Sequence, residues 1–317
     1  MDKALGCIIG ALVGDACGAP QEFQYDIKDE DIENAIYMKG GGMLNVGRGQ
    51  ITDDGELTLA LAGALTNTKY YSYERAATAY SNWINSDPFD IGTTCRKAFT
   101  VFDFDTPNAM LYNAAKYNML SESNGAAMRI TPIPIKFRNE SDDVITQIAK
   151  YDAMLSHPNQ ICLDVNAIFA LTLAHLIKHD NTRKVFDHIS DYIQTNITSK
   201  VKDWFLHDRY DYLDRQVHMT KRNIGHVKHA FCMGMNLLES PMDYESGIRY
   251  VLKMGGDTDT NAACCGGILG AIHGYTNIPI YMRNPVLNYK YSSQDLIGYD
   301  RPYKASSAIE FVQNIYT

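Results

Sequence analysis

The chain has 317 residues, 45% of them hydrophobic, which is enough apolar material to bury a substantial core without disulfides or a structural metal. A formal net charge of -8 argues against general nucleic-acid binding, because such proteins present a basic face to the phosphates. No Pro/Gly/Ser-rich linker or low-complexity tract marks a boundary, so residues 1–317 are expected to form a single domain.

From the N-terminus, residues 8–13 form an apolar stretch stopped by Asp15, far shorter than the roughly 20 residues that a membrane span requires. Neither a signal peptide nor a membrane association is expected, and the expected location is the cytoplasm. The seven cysteines (Cys7, Cys17, Cys95, Cys162, Cys232, Cys264 and Cys265) include no C-x-x-C pair. They read as reduced, buried small hydrophobes, including the adjacent pair in an Ala/Gly-rich run. The 21 tyrosines read as ordinary packing and surface.

Helical periodicity runs through residues 56–66, 74–84, 167–178, 184–195, 227–238 and 245–254, with Leu57, Leu61 and Leu65 on one face, for example. No series of alternating strands appears, so the fold is expected to be all-α. Gly6, Gly10, Gly14 and Gly18 repeat every fourth residue near the N-terminus, and Gly266, Gly270 and Gly274 do so near the C-terminus. That spacing puts each stripe on one helix face, where missing side chains let backbones approach. Each glycine costs a helix on the order of 1 kcal/mol against alanine, so a compensating contact is needed. The two helices are therefore expected to cross centrally and to bring Asp15 and Glu22 near residues 257–260. Residues 179–223, polar and rich in charge, are expected to form a peripheral helical flap.

Two acidic motifs stand at helix starts. Thr52-Asp53-Asp54 follows a loop bearing Gly47 and Gly49, and capping of the next helix would by itself account for it. In Gly255-Gly256-Asp257-Thr258-Asp259-Thr260 two carboxylates are two residues apart, whereas a cap needs one. Four converging carboxylates would repel, and a pair of divalent ions relieves that. Oxygen-only ligands point to Mg²⁺, Mn²⁺ or Ca²⁺ rather than Zn²⁺, and none of the nine histidines lies in either motif.

These motifs belong to a longer ordered set. It comprises Gly10-Ala11-Leu12-Val13-Gly14-Asp15 with Gly18-Ala19 and Glu22; Gly40-Gly41-Gly42 ahead of Thr52-Asp53-Asp54; Asp90-Ile91-Gly92; and Asn124-Gly125-Ala126-Ala127-Met128-Arg129. Ser156-His157-Pro158, Gly225-His226-Val227 and Gly256-Asp257-Thr258-Asp259-Thr260 with Gly270-Ala271 complete it. In this the chain resembles the ADP-ribosylglycohydrolases over nearly its whole length. The resemblance implies a compact orthogonal helical bundle, two Mg²⁺ ions (or Mn²⁺) at a cleft, and cleavage of the bond between C1 of ADP-ribose and an acceptor side chain. It implies Thr52, Asp53, Asp54, Asp257, Asp259 and Thr260 as metal ligands, and Glu22, Asp54 and Asp90 as catalytic groups. Gly92, Ser121, Ser123, Asn124, Gly125, His157 and His226 would contact the ligand.

The segment around Asp90 is similar to that of arginine-type members, which implies an ADP-ribosylated arginine as substrate, on a protein or a small molecule. The alternatives are hydrolysis of serine-linked or other O-linked ADP-ribose, or a silent ADP-ribose-binding or structural member. Two departures stand out: Gly55 where many members carry a second threonine, and His226 where arginine-type members often carry tyrosine.

Overall fold

The computed structural model describes residues 1–101, 105–213, 223–290 and 301–316. In chain order its helices are α1 (Asp2–Gly18), α2 (Asp29–Ile36), α3 (Asp53–Leu65), α4 (Tyr73–Ile84), α5 (Thr93–Phe99), α6 (Thr106–Asn118), α7 (Pro132–Phe137), α8 (Asp142–Met154) and α9 (Gln160–Lys178). They continue as α10 (Thr182–Asn196), α11 (Val201–Asp203, running into a π-turn at Trp204–Asp208), α12 (Tyr210–Leu213), α13 (Val227–Glu239), α14 (Tyr244–Leu252), α15 (Thr258–His273), α16 (Ile280–Leu287) and α17 (Ser307–Ile315). Strand pairing among the described residues is limited to three isolated bridges. The all-α expectation holds.

Many helix starts follow from local chemistry. Ser72, Asn159, Asn181 and Asp243 each accept a hydrogen bond from a backbone N–H in the turn they begin. Pro132 opens α7, where its missing N–H costs nothing.

The glycine stripes pack against each other. A Cβ placed on Gly6, Gly10, Gly14 or Gly18 would lie 2.2, 2.3, 2.0 or 2.3 Å from the carbonyl oxygen of Gly270, Gly266, Ala262 or Thr258 respectively. Descending partners against ascending glycines mean that α1 and α15 run antiparallel in backbone contact. Gly274 is not part of the helical stripe: with φ of 81° it ends α15 at His273. Both helices are buried on almost every face, as is α9. Asp2–Gln21 and Gln160–Lys178 are long and apolar enough to cross a membrane, but 89% and 83% of those windows is buried inside the fold. Their apolarity is therefore already used by the core.

The 179–223 segment is more than a solvated flap. Val185, Phe186, Ile189 and Ile193 form the inward stripe of α10, and Trp204 and Phe205 are buried behind it. The helical period read over 184–195 marks this inward stripe, and the charges occupy the other face. Arg209 is itself buried, its guanidinium donating to the Phe205 carbonyl at 2.7 Å, Asn236 Oδ1 at 3.1 Å and Glu239 Oε2 at 2.6 Å. Asp214 and Arg215 lie outside the described residues. All seven cysteines are free and buried, as their reading as small hydrophobes requires.

Candidate active site

The starts of α3 and α15 meet at the end of the α1–α15 crossing, and the geometry there begins with Asp15. It is the one charged residue in the otherwise buried apolar run of α1. Its carboxylate accepts from Thr52 N (3.1 and 3.0 Å), Thr52 Oγ1 (2.8 Å) and Gly55 N (2.9 Å). Asp15 thus does the N-capping of α3 from a distance, leaving Asp53 and Asp54 unused for that purpose. Gly55 suits this arrangement, since a Cβ there would come within 2.7 Å of Asp15 Oδ2 and 2.8 Å of Ile51 Cβ. On α15, Asp257 occupies the N-cap position but makes no side-chain cap bond. Asp259 Oδ1 accepts from Thr260 N at 2.9 Å in the first turn of α15, which leaves Asp53, Asp54 and Asp257 without a capping role.

Glu22 is brought in by the chain leaving α1. Phe23 N donates to Gly256 O at 2.9 Å and Gly256 N to Gln24 O at 2.8 Å, which ties that turn to the loop before α15. Gly255 and Gly256, at φ of 70° and 83°, supply the left-handed turn that the tie needs. Carboxylate oxygens of Glu22, Asp90 and Asp259 lie within 4.8 Å of one another.

A cleft of about 380 Å³ opens over these groups. Of the sequence-derived candidates, Glu22, Asp53, Asp90, Gly92, Ser123, Asn124, Gly125, His157, Asp257, Asp259 and Thr260 line it. Thr52 and Asp54 are buried behind its floor, where Asp54 Oδ2 receives Thr260 Oγ1 at 3.3 Å and Thr52 Oγ1 at 3.4 Å. Gly92 N donates to Asp53 Oδ2 at 3.2 Å. Asn124 Nδ2 donates to Asp257 Oδ2 at 2.8 Å, linking the Asn124–Gly125 turn to the acidic floor.

Ser121 and His226 are not part of this lining, and His157 meets it from a fully buried position. Ser121 stands behind Ser123 in a hydroxyl cluster with Thr94, at 3.0 to 3.1 Å separations. His157 is fully buried, its ring nitrogens 2.8 Å from Ser156 Oγ and 3.0 Å from Ser123 Oγ. Burial, aided by the Arg129 charge, lowers its pKa to about 3, so it is a neutral anchor for Ser123. His226 sits outside the cleft wall at the start of α13. Its Nδ1 accepts from Lys228 N at 3.1 Å, its Nε2 is 2.8 Å from Glu122 Oε2, and its ring meets Trp204 edge-on.

Two groups that the sequence reading quoted in motifs, one of them expected near the site, have roles it did not assign. Asp15 was visible as a lone acid in an apolar glycine-striped helix, a signal in itself. Arg129, fully buried, donates to Gly125 O (2.8 Å), Ser156 Oγ (2.9 Å) and Asp152 Oδ2 (3.2 Å), with its guanidinium over the Tyr80 ring. It fixes both the Asn124–Gly125 turn and the His157 segment.

Burial is the main force on the acids. It pushes Glu22 up to about 10, reinforced by the charges of Asp90, Asp257, Asp53 and Asp15, and Asp15 up to about 7. Asp53, Asp54 and Asp259 are held well above the carboxylate range by burial and by their neighbours' charges, and Asp90 is raised chiefly by burial. Asp54 Oδ1 and Glu22 Oε2 are buried without a hydrogen-bond partner. Clustered, desolvated, oxygen-only donors with orphaned lone pairs fit hard divalent cations.

The chain matches the family model described as ADP-ribosylglycohydrolase over residues 1–305. It is 29% identical to a putative ADP-ribosyl glycohydrolase, L543, of Acanthamoeba polyphaga mimivirus, across 90% of this chain and 91% of the relative. It is 26% identical to ADP-ribosylarginine hydrolase Tri1 of Serratia proteamaculans, across 88% of this chain and 74% of the relative. The fold superposes on a solved ADP-ribosylglycohydrolase-related protein complex with a TM-score of 0.77 and 20% identity, covering 99% of this chain and 97% of that one.

Proposed function

Because the chain belongs to the ADP-ribosylglycohydrolase family, we propose that it hydrolyses the bond between C1 of an ADP-ribosyl group and an arginine side chain, with two Mg²⁺ ions as cofactors. Thr52, Asp53, Asp54, Asp257, Asp259 and Thr260 would hold the ions, with Mn²⁺ as a substitute. The observation that carries this reading is the gathering of Glu22, Asp53, Asp54, Asp90, Asp257 and Asp259 on and behind one cleft floor. So many carboxylates repel at neutral pH unless cations compensate them.

When bound, the ions supply Lewis acidity at the bond being cleaved, whose breaking passes through an oxocarbenium-like state. The chain's own groups do the rest. The Ser123 hydroxyl, fixed by neutral His157, and the Asn124–Gly125 turn, fixed by Arg129, orient the ligand. Glu22 is placed to hold a proton at Oε2 and pass it toward the departing nitrogen. Asp90 is placed to pair with the guanidinium, which is planar, permanently charged and suited to carboxylate oxygens. A serine hydroxyl gains no such pairing. The name of the Serratia relative supports the same acceptor.

The test is to incubate the protein and Mg²⁺ with arginine-, serine- and glutamate-linked ADP-ribosyl peptides and to follow release of free ADP-ribose. Arginine-linked substrate is expected to turn over fastest, and Asp90→Ala to slow that reaction selectively. Equal rates on serine, or an unaffected Asp90→Ala, would remove the arginine assignment. Binding of ADP-ribose without turnover on any linkage would assign the chain to the silent members.

A further inference from the structure

We infer that Asp142, His175 and His188 form a second metal site, for a borderline divalent ion such as Zn²⁺, separate from the carboxylate cleft. The three residues come from three helices. Asp142 opens α8, His175 stands in the last turn of α9, and His188 is on α10. His157, which lines the cleft, lies in the turn joining α8 to α9. The cluster is at the opposite end of that helix pair, about 20 Å away for a helix the length of α8.

His175 Nε2 is 2.8 Å from Asp142 Oδ1, and His188 Nε2 is 2.6 Å from Asp142 Oδ2. One candidate ligand atom from each residue lies within 4.8 Å of the other two. The two imidazoles stack, with centroids 4.3 Å apart and planes 29° apart. A neutral ring is a ligand once its proton sits on Nδ1, because Nε2 then presents a lone pair.

Two imidazole nitrogens and one carboxylate oxygen are the donor set of zinc and its neighbours, with a fourth position left for water. The oxygen-only cleft prefers hard ions instead. Access is open: the side chains of Asp142 and His188 are 37% and 43% exposed. An ion there would cross-link α10 to the α8–α9 pair and stabilise the native chain by mass action.

Calorimetric titration of the full chain with ZnCl₂ in saturating Mg²⁺ tests this. One zinc per chain is expected in the unaltered protein and in Asp257→Asn, and its loss in both His188→Ala and His175→Gln. Cobalt in place of zinc should give visible d–d bands that vanish in the same two variants. His188 is half exposed, so circular dichroism should show its variant folded. The inference is overturned if zinc fails to bind, if binding survives His188→Ala, or if it disappears in Asp257→Asn alone.

Discussion

Asp15 accepts bonds from two N–H groups and a hydroxyl at the start of α3, whereas Glu22 Oε2, farther along the same segment, accepts none. The contrast marks Asp15 as a positioning residue and supports the proton-holding role proposed for Glu22. Asp15→Asn turns an amide N–H toward donors, leaving a buried donor unpaired at a cost of about 1–3 kcal/mol. It is expected to lower both the melting temperature and the affinity for Mg²⁺, measured by thermal denaturation and calorimetry. Glu22→Gln disturbs no hydrogen bond at Oε2 and exchanges a carboxyl that burial keeps protonated for a neutral amide that cannot give up its proton. It should leave stability intact and ADP-ribose binding near normal, while turnover falls by about 10²–10⁴-fold. A change confined to KM would make Glu22 a binding group. The acids of the two motifs were legible in the sequence because spacing and glycines singled them out. The bonds that Asp15 and Arg129 make were not, since their partners, Thr52 and Asp152 among them, are distant in sequence. His226 was read toward the ligand because it stands in a family motif, whereas its ring is taken up by Glu122 and Lys228.

At the scale of elements, the four-residue glycine spacing was the strongest long-range signal, because few reasons other than backbone contact justify its cost in helix propensity. The periodic helices were also legible, to within a residue or two for α4, α10, α13 and α14. Helix α9 begins earlier than its periodicity suggests, since burial on almost every face erases the period from its sequence. Short helices such as α5 and α7 have too few turns to show one. The contact between α1 and α15 gives a paired prediction. Gly14→Ala gains about 1 kcal/mol in propensity, but its Cβ would sit 2.0 Å from Ala262 O. Backbone cannot yield as a side chain does, and overpacking costs about 1–3 kcal/mol or more. Net destabilisation is expected, with loss of activity as Glu22 and Asp257 part. Gly63→Ala in α3 meets nothing closer than 3.6 Å, at Phe311 Cζ. It should keep the propensity gain and raise the melting temperature. Equal effects of the two substitutions, in the same denaturation assay, would contradict the close crossing.

Across the whole molecule, the acidic floor joins segments from near both ends of the chain, so its charge state bears on global stability. Without cations, burial raises Glu22 from 4.5 to about 10 and Asp15 from 3.8 to about 7. A raised folded pKa means that stability is whole below the ordinary value and is lost as pH climbs through the folded one, because the unfolded chain ionises freely. His157 and His229 work in the opposite sense: burial lowers them to about 3 and about 4, so they favour the folded state more as pH rises toward 6.5. Above pH 7 the histidine contribution is complete, and the ordinary cysteine value of 9.0 has not been reached. In that window Asp15 has largely finished its loss, and Glu22, still protonated in the folded chain, dominates at about 1.4 kcal/mol per pH unit at full coupling. The melting temperature of protein in excess chelator should therefore fall from pH 7 to 8.5. Saturating Mg²⁺ should flatten the decline, because compensated carboxylates no longer need protons, and Glu22→Gln in chelator should make it shallower. A chelated protein that gains stability over this range, or a Glu22→Gln variant that declines as steeply, would show that the cleft acids are not under the strain their burial implies.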